Sequence, residues 1–204
     1  MSTFLSLYTA VTDSLGRDDT LAVTQAKRGI NFGQILAALV FDPIELKTSG
    51  NLTISASGTS VIITTLTSIR LINSIYNTTG SKDVKFIPED KFNLIVPSDL
   101  TYVEYFYRHG SYIYVNPPTD ANTLNVKYNK FPTELTNDSD VLEITNNDSF
   151  IIAAANSYAF ASFEEAEASK LWDTALQTFT VPFTINAKKL TEFKEALKAS
   201  GHDI

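Results

Sequence analysis

The sequence predicts an α+β chain: a helical bundle formed by N- and C-terminal helices, carrying an inserted antiparallel β region. Three observations lead there. Apolar residues recur at three- and four-residue steps at both ends, at Phe4, Leu7, Tyr8, Val11 and Leu15 and again at Ala168, Leu171, Trp172, Ala175, Leu176 and Phe179, the spacing of one helix face. From residue 48 to about 146 the chain is instead rich in Thr, Ile, Ser and Val with strand-like alternation. Glycines and a double proline punctuate that middle section. The expected division is therefore 1–47 with 147–204 for the helical domain and 48–146 for the β-rich insert.

The first helix is capped by Ser2 or Thr3 and stopped by Gly16. A second starts at Asp19 or Thr20 and runs to Phe41, with Val23, Ala26, Ile30, Gly33, Ala37 and Val40 on one face, and Asp42-Pro43 ends it. Gly29 and Gly33 stand one turn apart on it. They suit a close helix crossing, either between subunits or inside the monomer.

In the middle section, "VEYFYR" and "SYIYVN" flank His109-Gly110 and form the clearest hairpin. Strand alternation puts Val103, Tyr105 and Tyr107 on one face and Tyr102, Glu104, Phe106 and Arg108 on the other. Pro117-Pro118 ends the second strand because neither residue can donate to a ladder. "TLNVKYNKF" supplies one more strand before Pro132.

Helices return after Asn147-Asp148. "SFIIAAANSYAFASF" is apolar almost all round, as a buried helix should be. Glu164, Glu165 and Glu167 favour the N-terminus of the next helix. Pro182 interrupts, and a last short helix carries Leu190, Phe193 and Leu197 before Gly201.

Bulk properties narrow the function classes. A chain of 204 residues can bury roughly 70% of its unfolded surface, so it needs no staples. It has no cysteine, which removes disulfides and thiolate metal sites. The formal charge of −7 does not suit a broad phosphate-binding face. The N-terminus lacks a basic n-region and a long apolar core, so no secretory signal is expected. The apolar helical stretch "GINFGQILAALVF" has 13 residues, short of the ~20 that span a bilayer; no membrane partner is expected. The triplets at Asn51, Asn77, Asn137 and Asn147 read as ordinary polar loops rather than glycosylation sites.

Catalytic patterns are missing. The two histidines are His109, at the hairpin turn, and His202, near the C-terminus. "RHGS" is not a nucleophile elbow, and no zinc-protease, phosphate-loop or dinucleotide motif occurs. Asp138, Asp140 and Glu143 lack the central glycine and spacing of a calcium loop. Glu164, Glu165 and Glu167 serve helix capping better than glycoside hydrolysis. The expectation is a non-enzymatic protein without cofactor or metal. Tyr102, Tyr105, Tyr107, Tyr112 and Tyr114 fit a stacking platform for sugars or bases, cross-strand pairs lining a subunit contact, or structural packing alone with no partner.

The order of motifs resembles the tailed-phage head–tail adaptor family, the group that includes tail tubular protein A-like connectors. The resemblance is carried by "QAKRGINFGQILAAL", "SIRLINSIYNTTG", "FNLIVPSDL", and above all "YRHGSYIYVNPPTDANTLNVKYNKFPTELTNDSDVLEI", followed by "IIAAANSYAFASFEEAEASKLW". It implies a virion structural protein of the neck or tail, assembled in the host cytoplasm. Members form a twelve-fold ring below the portal that joins capsid to tail and lets DNA pass through the lumen without specific binding. The implied partners are other copies of the chain, the portal protein, and a tail nozzle or tail protein. Such a ring would carry about −84 before counterions, an acidic lining that lets DNA slide. The segment 183–204 is then a candidate docking tail, with Phe183, Ile185, Leu190, Phe193 and Leu197 as candidate portal or subunit contacts, the alternative being a helix folded back on its own domain. Tyr105, Tyr107, Tyr112 and Tyr114 form a candidate tail- or subunit-facing hairpin. The alternative is a carbohydrate- or protein-binding β module of a phage tail or bacterial surface assembly.

Overall fold

A computed structural model describes residues 2–97, 100–163, 170, 173 and 174. The helix expected to begin at Glu164 and run through Phe179, and the short helix expected around 190–197, lie outside the described residues, apart from Lys170, Asp173 and Thr174. The expected architecture requires correction. The chain is a mixed α/β protein, with four α-helices among the described residues and a seven-stranded, nearly closed, barrel-like sheet, not a helical bundle carrying an antiparallel insert.

Two compact units are present. Among the described residues, one comprises those up to Leu46 with those from Pro132 onward, the other Lys47–Phe131. In the first, α1 spans Phe4–Leu15 and α2 spans Thr20–Phe41. Thr3 caps α1 by accepting a bond from the Ser6 amide at 3.3 Å. Gly16 ends it in the left-handed region at φ 63°, where a residue without Cβ costs least. Asp19 caps α2, its carboxylate accepting from the amides of Leu21 and Ala22, both at 3.0 Å. The fourth helix of the chain, Asp148–Ser162, lies against α2. It buries Phe150, Ile151, Ala154, Ala155 and Ala159 in a core shared with Phe4, Leu7, Val11 and Ile30. Gly29 and Gly33 resolve the open alternative: both face this helix's backbone, at Ala155 and Ile151, so the close crossing is inside the monomer.

The segment after Pro132 is irregular yet tied to these helices. The Asn31 side chain donates to the Leu135 carbonyl at 3.0 Å and accepts from its amide at 2.9 Å, so one side chain stands in for a missing strand partner. Leu135, Leu142 and Ile144 are buried in the helical core.

The second unit holds β1 (Lys47–Ile54), β2 (Ser60–Ile62), β3 (Ile69–Asn77), β4 (Lys82–Phe86), β5 (Tyr105–His109), β6 (Tyr112–Val115) and β7 (Asn122–Lys130). Spatially they run β1-β7-β3-β4-β5-β6-β2. The two outermost strands, β1 and β2, follow each other in the chain, so the sheet curls almost into a closed barrel. Leu52, Ile75, Ile113, Leu124 and Val126 fill it. All pairings are antiparallel but one: β4 and β5 are parallel, Lys85 opposite Tyr105. A parallel pair needs a crossover. The connection supplies it with helix α3, Glu89–Ile95, and Asp148–Ser162 is accordingly α4. This helix, absent from the expected element order, is the physical reason the β section is not a plain antiparallel insert.

Candidate functional site

The β5–β6 hairpin turns at Gly110, whose φ of 55° lies in the left-handed region. Its register places Phe106 opposite Val115, Tyr107 opposite Tyr114, and His109 opposite Tyr112. Phe106, Ile113 and Val115 point into the barrel core. Tyr107, Tyr112 and Tyr114 therefore share the outer face.

There the rings pair with each other. Tyr107 stacks on Tyr114 with centroids 4.8 Å apart and planes within 7°. Tyr112 lies 6.2 Å from Tyr114. Helix α3 crosses this face and sets Phe92 edge-on to Tyr107, at 4.8 Å and 62°. Glu89, in the first turn of α3, meets His109 Nδ1 at 2.9 Å. Burial first, then the nearby Glu89 and Tyr114, push the Tyr107 hydroxyl above its ordinary pKa. Tyr105 opens β5 half-buried and makes its contact through its backbone.

Three buried asparagines position the hairpin. Asn116 accepts from the amides of Glu104 and Tyr105 at 2.9 and 3.0 Å and donates to the Tyr102 carbonyl at 2.8 Å. Asn77 donates to the Val103 carbonyl at 3.0 Å and to Asn122, which accepts from the Val103 amide. Residues 102–104, ahead of β5, are thus held largely by side-chain amides, beside one backbone bond from the Lys85 amide to the Glu104 carbonyl. That is why simple alternation fails here: Val103 is buried in the same core as Phe106, although the sequence pattern set them on opposite faces. Asn77 is fully buried, which closes that glycosylation triplet.

Beside the aromatic face, α3 and the end of β4 expose large apolar side chains among charged ones, Glu89, Asp90 and Lys91. Leu94 and Ile95 of α3 are 84% and 57% exposed, and Phe86 at the end of β4 is 61% exposed while resting edge-on to Phe106. Sequence reasoning placed no helix here. Its signals were Pro88 ahead of two acidic residues and the three-residue step from Phe92 to Ile95. Of the sequence-predicted residues, the structure brings together Tyr107, Tyr112 and Tyr114, while Tyr105 stands half-buried at the start of β5. Phe183, Ile185, Leu190, Phe193 and Leu197 lie outside the described residues.

The acidic loop is engaged by the protein itself. Asp138 receives Lys27 Nζ at 2.9 Å, and the Lys27 ammonium also sits 4.5 Å over the Tyr8 ring. The bond from Lys27, then that from Tyr8, holds the Asp138 carboxyl below the ordinary range. Asp140 accepts the amides of Thr136 and Asn137, both at 2.8 Å, which lowers its pKa. Glu143 accepts from Thr133. Among the described residues no three His, Asp or Glu side chains come together as metal ligands would.

What the outer face of the barrel can do chemically is present paired aromatic edges and bare aliphatic side chains to another macromolecule. Compared with known protein families, residues 2–199 match the family described as SU10 adaptor protein. No curated protein matches the chain.

Proposed function

Since the chain belongs to the SU10 adaptor protein family, a phage head–tail adaptor family, we propose that it forms a ring below the portal. That ring joins capsid to tail and lets DNA pass. The observation that carries this reading is the extent of the match, residues 2–199, which takes in both compact units. The ring is homomeric, with other copies of the chain as neighbours, the portal protein above and a tail protein below. The protein resides in the virion neck after assembly in the host cytoplasm.

A closed ring is a heterologous assembly, in which each subunit meets its two neighbours through different surfaces. The α3 edge of the β unit, with Phe86, Leu94 and Ile95 exposed, suits one such contact or the tail, and the hairpin tyrosines brace it from beneath. We assign the segment 183–204 to the portal or to a neighbouring subunit, through Phe183, Ile185, Leu190, Phe193 and Leu197. A carbohydrate platform fits the hairpin less well, because Tyr107 and Tyr114 already spend a ring face on each other and Phe92 abuts Tyr107.

Light scattering on the purified chain, alone and mixed with purified portal, tests the proposal. A portal-bound species containing many adaptor copies is expected, and removal of 183–204 should abolish it. A chain that stays monomeric with portal present, under conditions where the portal is itself assembled, contradicts the reading.

A further inference from the structure

The three strands β1, β7 and β3 contain no aspartate or glutamate, on a chain whose formal charge is −7, and of their basic residues the register sets Lys47 and Lys127 on the outer side. Their inner side chains, Leu52, Leu124, Val126 and Ile75, fill the barrel. The outer side is mostly polar rows, with exposed Leu71 opposite Asn129 at one end. Ser49 stands opposite Lys127, and Lys127 opposite Ser74; Asn51 stands opposite Asn125, and Asn125 opposite Tyr76. Asn125 donates to Asn51 at 2.9 Å, so the row is held as a unit. On the next strand, β4 sets Asp83 beside Tyr76, and Lys85 follows on the same side, which leaves the edge of the face balanced.

We propose that this outer face of β1–β7–β3, in place of the acidic lining expected from the net charge, is the surface along which the sugar–phosphate backbone of duplex DNA runs; the inference rests on the proposed passage of DNA through the ring. Serine, threonine, asparagine, tyrosine and lysine are the side chains that contact phosphate and sugar without reading bases. A carboxylate-free face with a lysine in its middle row complements a polyanion, whereas the remainder of the chain, which holds every acidic residue, repels it. Contact made mostly by uncharged groups is weak and independent of sequence, as sliding requires. The aromatic face on the other side of the barrel has neither property.

The test is photo-cross-linking in DNA-filled particles assembled with the full-length chain. Tyr76→p-benzoylphenylalanine and, independently, Ser74→p-benzoylphenylalanine place the probe on the polar face; Tyr112→p-benzoylphenylalanine places it on the aromatic one. Cross-links to DNA from positions 76 and 74, lost in DNA-free particles and not formed from 112, are expected. Cross-links from 76 and 74 to protein alone, or DNA cross-links from 112 instead, overturn the assignment while leaving the adaptor reading intact. Particles that contain DNA but lack the chain overturn the adaptor reading, and this inference with it.

Discussion

Gly33 of α2 lies so close to α4 that a β-carbon on it would stand 2.7 Å from the Ile151 carbonyl oxygen. One turn earlier, a β-carbon on Gly29 would stand 2.8 Å from the Ala155 carbonyl oxygen. The atoms in the way are backbone, so they cannot swing aside. Gly33→Ala is expected to destabilise the protein by about 1–3 kcal/mol, although alanine on an open helix would add roughly 1 kcal/mol of stability. Urea unfolding of the variant reads the sign directly; a midpoint equal to or above wild type would mean that the two helices are not in this contact.

Asn116 is expected to matter more than its place before Pro117 suggests. Asn116→Ala leaves two amides and one carbonyl of residues 102–105 without their partner, each worth about 1–3 kcal/mol if it stays buried. Hydrogen exchange at Glu104 and Tyr105 should accelerate well before the rest of β5 does. Protection unchanged at those two amides would show that the strand ladder, not the asparagine, holds the segment.

Stability is expected to fall in acid through Asp138 and Asp140. Both have folded pKa values below the ordinary one, so their contribution is fully present above the unfolded value of about 3.9. It is lost as pH falls through the lower folded values. The Lys27 ammonium, raised first by its bond to Asp138, works in the other direction: its contribution is present below its unfolded pKa and lost as pH rises through the folded one. Asp138→Asn should therefore flatten the acid arm of a stability–pH curve measured by urea unfolding. An acid arm as steep as in wild type would remove this cluster from the account.

Leu94 separates folding from assembly. Its side chain is 84% exposed, so Leu94→Glu should change unfolding free energy by no more than about 0.5 kcal/mol. The same change on an apolar contact surface should reduce the adaptor mass recovered with portal or tail protein. Wild-type recovery with Leu94→Glu combined with Ile95→Glu would take α3 out of the interfaces.

Much of this could be read from residues alone where local chemistry decides structure. Thr3, Gly16 and Asp19 bound two helices by capping, and Gly110 between two aromatic runs fixed the hairpin. Other features depend on distant partners. Helix α3 spans 7 residues, too few to establish a period, and its function as a parallel crossover appears only once β4 and β5 pair. Asn77, Asn116 and Asn122 occupy positions that sequence rules assign to solvent, yet they are buried because each satisfies backbone groups far along the chain. Leu135, Leu142 and Ile144 belong to a stretch with loop composition, and Asn31, more than a hundred positions earlier in the chain, draws it into the helical core. In the candidate site the tyrosines were evident, but their mutual stacking and the helix laid across them were not.

The most direct measurement of the central claim is electron microscopy of native particles carrying a label fused to this chain. The account predicts label at the neck, arranged as a ring between portal and tail. Label on the capsid shell or the distal tail, with none at the neck, would contradict it.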